Sequence, residues 1–171
     1  MSASAPEATR QHSRGSQRSR PRPERPSAAV LALAATAAVA AVMLVVSTFL
    51  DLYTIGTGVT ELRSYSGWDH HSIAMLLLGL AAVPMILGAL RGADPAKYAL
   101  AALGVVVLVI AFTVDLPAAL DEGLLAVSYE GAEASPAIGF YVESLAGAML
   151  LAAGGLLVLL GRPAEELDDD A

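Results

Sequence analysis

The chain has 171 residues, 56% of them hydrophobic, with a mean hydropathy of +0.61 and a net charge of −7. An ordinary soluble domain is about 45–50% apolar, and here the excess lies in uninterrupted blocks that a water-soluble core does not need. Cysteine is absent, which excludes disulfides, thiol nucleophiles, Cys-ligated metal and palmitoylation.

Residues 1–27 are rich in Ser, Arg and Pro and show no hydrophobic period; the first 26 carry six Arg against Glu7 and Glu24. Such a segment cannot bury enough apolar surface to offset its ordering entropy, so it reads as a disordered basic tail. The first predicted span is 28–50. It is longer than the roughly 7–15 residues of a signal-peptide core, and Phe49-Leu50-Asp51-Leu52-Tyr53 at its exit offers no small-residue cleavage site. Further spans are predicted at 72–90, 96–114 and 136–160, each near the roughly 20 residues that a hydrocarbon core of about 30 Å requires. None shows the polar stripe of a soluble helix. Pro84 interrupts the second span, where a kink is expected, and Gly88 and Gly92 form a GxxxG pair straddling its end. Residues 162–171 form an acidic tail.

The basic residues set the orientation. Arg10, Arg14, Arg18, Arg20, Arg22 and Arg25 precede the first span, Arg91 and Lys97 flank the loop between the second and third, and Arg162 follows the fourth. Only Arg63 falls on the other side. This bias places both termini in the cytoplasm and turns the loops near 52–71 and 115–135 outward. Phe49, Tyr53, Trp68, Phe112, Phe140 and Tyr141 fall near the outer ends of spans and Tyr98 near an inner end, as an interfacial aromatic belt would. Asp51-Leu52 and Asp115-Leu116 end the first and third spans, a weak sign of two repeated hairpins.

The chemistry-bearing groups gather at the outer boundary: Asp51, Asp69, His70, His71, Asp115 and Glu143. Glu143 lies about two turns into its helix, roughly 5–10 Å below the surface. It reads either as a proton or cation site facing the bundle, or as an interfacial residue bonded to Tyr or Ser or paired with Arg63. Adjacent His70 and His71 point about 100° apart on a helix, whereas helical zinc pairs use i, i+4 spacing. No metal or cofactor is therefore expected unless Asp51, Asp115 or Glu143 converges on them. Asp51 and Asp115 follow helix C-termini, where the dipole disfavours negative charge, and Arg63 is the outer cation available to them. The Arg-rich tail suits contact with anionic lipid, tunable by phosphorylation at Ser13, Ser16 or Ser19. It has no fold or stacking aromatic behind it that would suggest nucleic acid.

Several short motifs carry a resemblance over about residues 28–161: Phe49 to Tyr53, Gly67-Trp68, Asp115-Leu116-Pro117, Gly139-Phe140-Tyr141-Val142-Glu143 and Gly154-Gly155. In this order they resemble uncharacterised small four-helix integral membrane proteins of high-GC Gram-positive bacteria, many of which have Pro-Trp where this chain has Asp51-Leu52. The resemblance implies a fold and no activity. Claudins share four helices and Gly-Trp in the first outer loop, but their pattern needs a loop Cys pair. The expectation is an all-α, four-span protein of the cell (inner) membrane, with N and C termini cytoplasmic. It is expected to be a structural or interaction component, with the bilayer and a membrane-protein partner or second copy as its contacts. The alternative is a small transporter or channel subunit using the outer carboxylates. An enzyme is not expected, because no nucleophile–base pair is visible.

Overall fold

The structure, a computed structural model, describes residues 26–57, 60–71, 73–121 and 132–161. Its main elements are four apolar helices: α1 (Ala28–Ser47), α3 (Ala74–Leu90), α4 (Asp94–Ile110) and α6 (Ile138–Leu160). Before α3 comes the five-residue helix α2 (Gly67–His71), and α4 runs on through a π-turn (Ala111–Asp115) into α5 (Leu116–Ala119). The described residues also include three strands, β1 (Asp51–Thr57), β2 (Thr60–Ser66) and β3 (Ala132–Pro136).

Among the described residues, three helices are long and apolar enough to cross a membrane: Ala28–Ser47, Asp94–Ala119 and Ile138–Leu160. The helix Ala74–Leu90 is apolar but has 17 residues, about 25 Å at 1.5 Å per residue. Each begins or continues for local reasons. Ser27 caps α1 by accepting the Val30 N–H at 3.3 Å. Asp94 and Pro95 open α4, where a proline costs no helical hydrogen bond. The helix α3 continues from Ala74 to Leu90 across Pro84.

The helices pack in a ring: α1 against α3 and α6, and α4 against α3 and α6. Small residues permit this. Ala34, Ala37, Ala40 and Ala41 face the core from α1. A Cβ on Gly104 or Gly154 would collide with the backbone of Leu151 or Ala101, so α4 and α6 meet almost backbone to backbone. Leucines and valines also line the outside of the ring: Val42, Leu80, Val109 and Leu159 are each more than half exposed.

The sheet corrects the all-helical expectation. Both long loops contribute to it, in the order β2-β1-β3 and with antiparallel pairing throughout. Tyr53 lies opposite Tyr65 on β2 and Pro136 on β3; Thr54 lies opposite Ser64 and Ser135. Two long connections thus sit at one end of the bundle, and the turn at Arg91–Ala93 at the other. The central strand is tied to the helices by backbone bonds from Gly67 N–H to Leu50 O (3.0 Å) and from Ala137 N–H to Leu52 O (2.9 Å). The expected span limits shift accordingly. Residues 48–50 fall outside α1, the second span shortens to α3 from Ala74 with the separate helix α2 ahead of it, the third runs on to Ala119, and Pro136 belongs to a strand. The basic segment up to residue 25, Ser72, much of the second long loop and the acidic tail lie outside the described residues.

Candidate functional site

At the sheet end, three elements bring ionisable side chains together. The shortest is α2. Its start is fixed by a reciprocal cap: Asp69 Oδ2 accepts from the Ser66 N–H (3.2 Å) and hydroxyl (2.7 Å), while the Asp69 N–H donates to Ser66 Oγ (3.3 Å). Those bonds hold the Asp69 carboxyl below the usual carboxylate range. Asp69 therefore serves the helix start, and His70 and His71, in the same turn, are aimed at α4.

Asp115 is fully buried on the extension of α4. The buried positions there run Val107, Ala111, Asp115, Ala119, four residues apart. An α-helix turns about 400° over four residues and would drift about 40° per step. The wider π-turn, closed by Leu116 N–H to Ala111 O, takes up part of that drift and keeps Asp115 facing inward. Pro117, two residues on, has no N–H to offer the Thr113 carbonyl, which favours a widened turn here. Asp115 is therefore inside a continuing helix, and the expected conflict with a helix C-terminus does not arise.

Glu143 is the third contributor, 1% exposed on α6. The buried face of that helix repeats every seven residues: Gly139, Ala146, Ala153; Phe140, Gly147, Gly154; Glu143, Leu150, Leu157. Glu143 thus takes a position that is leucine one and two heptads further on.

His71 Nε2 lies 2.6 Å from Asp115 Oδ1 and His70 Nε2 lies 3.5 Å from it. The three ligand atoms all fall within 4.8 Å of one another. The His71–Asp115 approach is short enough for an ion pair but is not aligned as a hydrogen bond; both its atoms are buried without such a bond. Asp115 and Glu143 face each other closely enough for their carboxyl groups to interact directly. As two carboxylates they are acceptors only, so they can bond to each other only through a shared proton or to a common cation. Both oxygens of each carboxyl are buried without a hydrogen-bond donor among the described residues.

Around this cluster the two histidine rings meet edge to face at 4.6 Å, and Tyr53 lies edge-on to His70 at 5.9 Å. Burial and the neighbouring His71 hold His70 below the ordinary imidazole value, with Asp115 opposing them. His70 is thus a neutral imidazole with a lone pair to give at neutral pH. Leu44, Val107, Ala146 and Leu150, each 0% exposed, belong to the apolar core that fills the bundle.

Of the six expected residues, His70, His71, Asp115 and Glu143 converge. Asp69 is engaged with Ser66, and Asp51 is exposed on β1, opposite Ser66. Arg63 stacks over the Tyr65 ring at 4.6 Å, and Tyr141, expected as company for Glu143, is 58% exposed. The condition set for a histidine–carboxylate site, that Asp51, Asp115 or Glu143 converge on the pair, is met at Asp115, which both rings reach from the end of α2. Two imidazoles and a carboxylate can hold a divalent ion and leave a coordination position for water. The chain matches no family model, no curated protein and no solved structure.

Proposed function

We propose that the chain is a four-span protein of the cell (inner) membrane with both termini cytoplasmic, built to display a small outer sheet as a structural or interaction surface. A cation or proton held beneath that sheet seats it on the bundle. The observation that carries this reading is the convergence of His70 and His71 from the loop with Asp115 and Glu143 from two helices. Buried carboxyls lacking a donor are costly unless a proton or cation joins them, and their partners here come from the segment that bears the sheet. The apolar exterior of the helices and the exposed Phe49, Trp68, Phe112 and Tyr141 near the sheet end support a bilayer setting.

The convergence also favours the alternative, a small transporter or channel subunit. The fully buried apolar core of the same bundle, with Leu44, Val107, Ala146 and Leu150, favours a static site instead. Hydrogen exchange on the detergent-solubilised protein, combined with flux in proteoliposomes, separates the two. A static site predicts that Asp115→Asn with Glu143→Gln speeds exchange in residues 60–71 at least tenfold, leaves the helices protected and changes no flux. Unchanged exchange together with a cation or proton flux abolished by Glu143→Gln would establish the transporter.

A further inference from the structure

We propose that the cluster is a binding site for a divalent transition metal of the zinc class, with His70 Nε2, His71 Nε2 and Asp115 Oδ1 as its ligands. This rests on the cation-site reading above and names the cation. Three independent features point to the ion. The donor set is two imidazole nitrogens and one carboxylate, which suits zinc, iron(II), cobalt or nickel; calcium and magnesium prefer all-oxygen shells. The geometry is close to what such an ion needs. Zn–N and Zn–O distances near 2.0–2.2 Å in a tetrahedron put ligand atoms about 3.3 Å apart. His70 Nε2 and Asp115 Oδ1 are already 3.5 Å apart, and the 2.6 Å gap from His71 opens to that value with a small side-chain movement. Finally, Asp115 is 0% exposed, and its two oxygens and His71 Nε2 are buried without hydrogen bonds. A metal ion between the rings and the carboxylate gives Oδ1 and His71 Nε2 their missing partner.

Glu143 then acts on the metal through Asp115. Its carboxyl lies against that of Asp115. Packed there, its side chain limits the rotamers open to the Asp115 ligand. Glu143 is a positioning residue in this scheme. A glutamine keeps the shape and can donate its amide N–H to the Asp115 carboxylate, but a leucine cannot.

The ion would join α2, at the end of the β1–β2 hairpin, to the extension of α4. Its affinity would therefore be shared with the seating of the sheet.

The test uses the full chain, purified in mild detergent on a histidine-free affinity tag, stripped with chelator and titrated with cobalt(II) as a spectroscopic probe and zinc(II) as competitor. The expected result is one cobalt per chain with visible absorption bands of four- or five-coordinate geometry, displaced by zinc and untouched by millimolar calcium or magnesium. His71→Asn and Asp115→Asn should each weaken binding at least 100-fold, Glu143→Leu about tenfold, and Glu143→Gln less than threefold. Glu61→Gln, on β2 away from the cluster, should change nothing. Gel filtration reads folding separately, and His70→Asn offers a second ligand variant if the buried aspartate change misfolds. Cobalt binding that survives loss of His70, His71 and Asp115 overturns the assignment. Calcium binding at Asp115 and Glu143 in place of cobalt overturns the metal class and leaves the cation reading standing. No bound divalent ion and unaltered sheet exchange in the charge variants would overturn both.

Discussion

Glu143 shows how the direction of a side chain can be legible in a sequence while its partner is only one of several candidates. Its inward direction is written in the heptad that also places Leu150 and Leu157 in the core. Its partner is harder to single out, because Asp115, one of several outer acids, is turned inward through a π-turn whose only local sign is Pro117. The pair also sets a stability prediction. Glu143→Leu removes one carboxyl and leaves a buried Asp115 oxygen facing hydrocarbon, at a cost of about 1–3 kcal/mol. Replacing both acids by leucine removes the orphaned group as well as its partner. Denaturant unfolding in detergent micelles should therefore show the double variant losing less than the sum of the singles, with a coupling of about 1 kcal/mol or more. Strict additivity would mean that the two carboxyls do not interact.

Among the elements, the helices were the readable part, since long uncharged apolar runs have few alternatives. The hairpin was readable but was taken for loop. Leu52, Tyr53, Thr54 and Ile55, then Gly56 and Gly58 and a second, more polar run that includes Tyr65, carry the composition of paired strands. The third strand was not readable. Ala132–Pro136 has no strand preference of its own and exists through its pairing with β1. The Ser66–Asp69 cap was a missed signal, a serine followed three residues later by an acid. Helix packing gives a sharper test. Gly154 and Gly155 are neighbours on α6, but a Cβ on Gly154 would meet the Ala101 backbone, whereas one on Gly155 meets nothing within 4 Å. Gly154→Ala should destabilise the bundle by about 1–3 kcal/mol, because backbone cannot yield as a side chain can. Gly155→Ala should stabilise it by up to about 1 kcal/mol through helix propensity. Thermal unfolding in one detergent should give shifts of opposite sign.

At the scale of the molecule, the sheet adds a constraint that charge counting lacks. Because β1 comes from the first long loop and β3 from the second, the two loops share one end of the bundle, and the turn bearing Arg91 occupies the other. Any membrane topology must keep that grouping. The distribution of basic residues then selects between the two remaining orientations. Arg63 lies on the sheet side, and Arg91 and Lys97 on the other, together with the arginines that precede α1. Positively charged loops favour the cytoplasmic side, which supports the proposed orientation with the sheet outward. Single cysteines in this cysteine-free chain can test the choice. Ser64 is exposed on β2; Ser64→Cys should react with a membrane-impermeant maleimide in intact cells, as should Ser128→Cys in the second long loop. Ser16→Cys should react only after the cells are permeabilised. The reverse pattern would turn the sheet and the histidine–carboxylate cluster toward the cytoplasm, where the cluster would meet the metal pool of the cell interior. Labelling at Ser64 but not Ser128, with both chains folded, would break the pairing of the two loops and with it the fold described above.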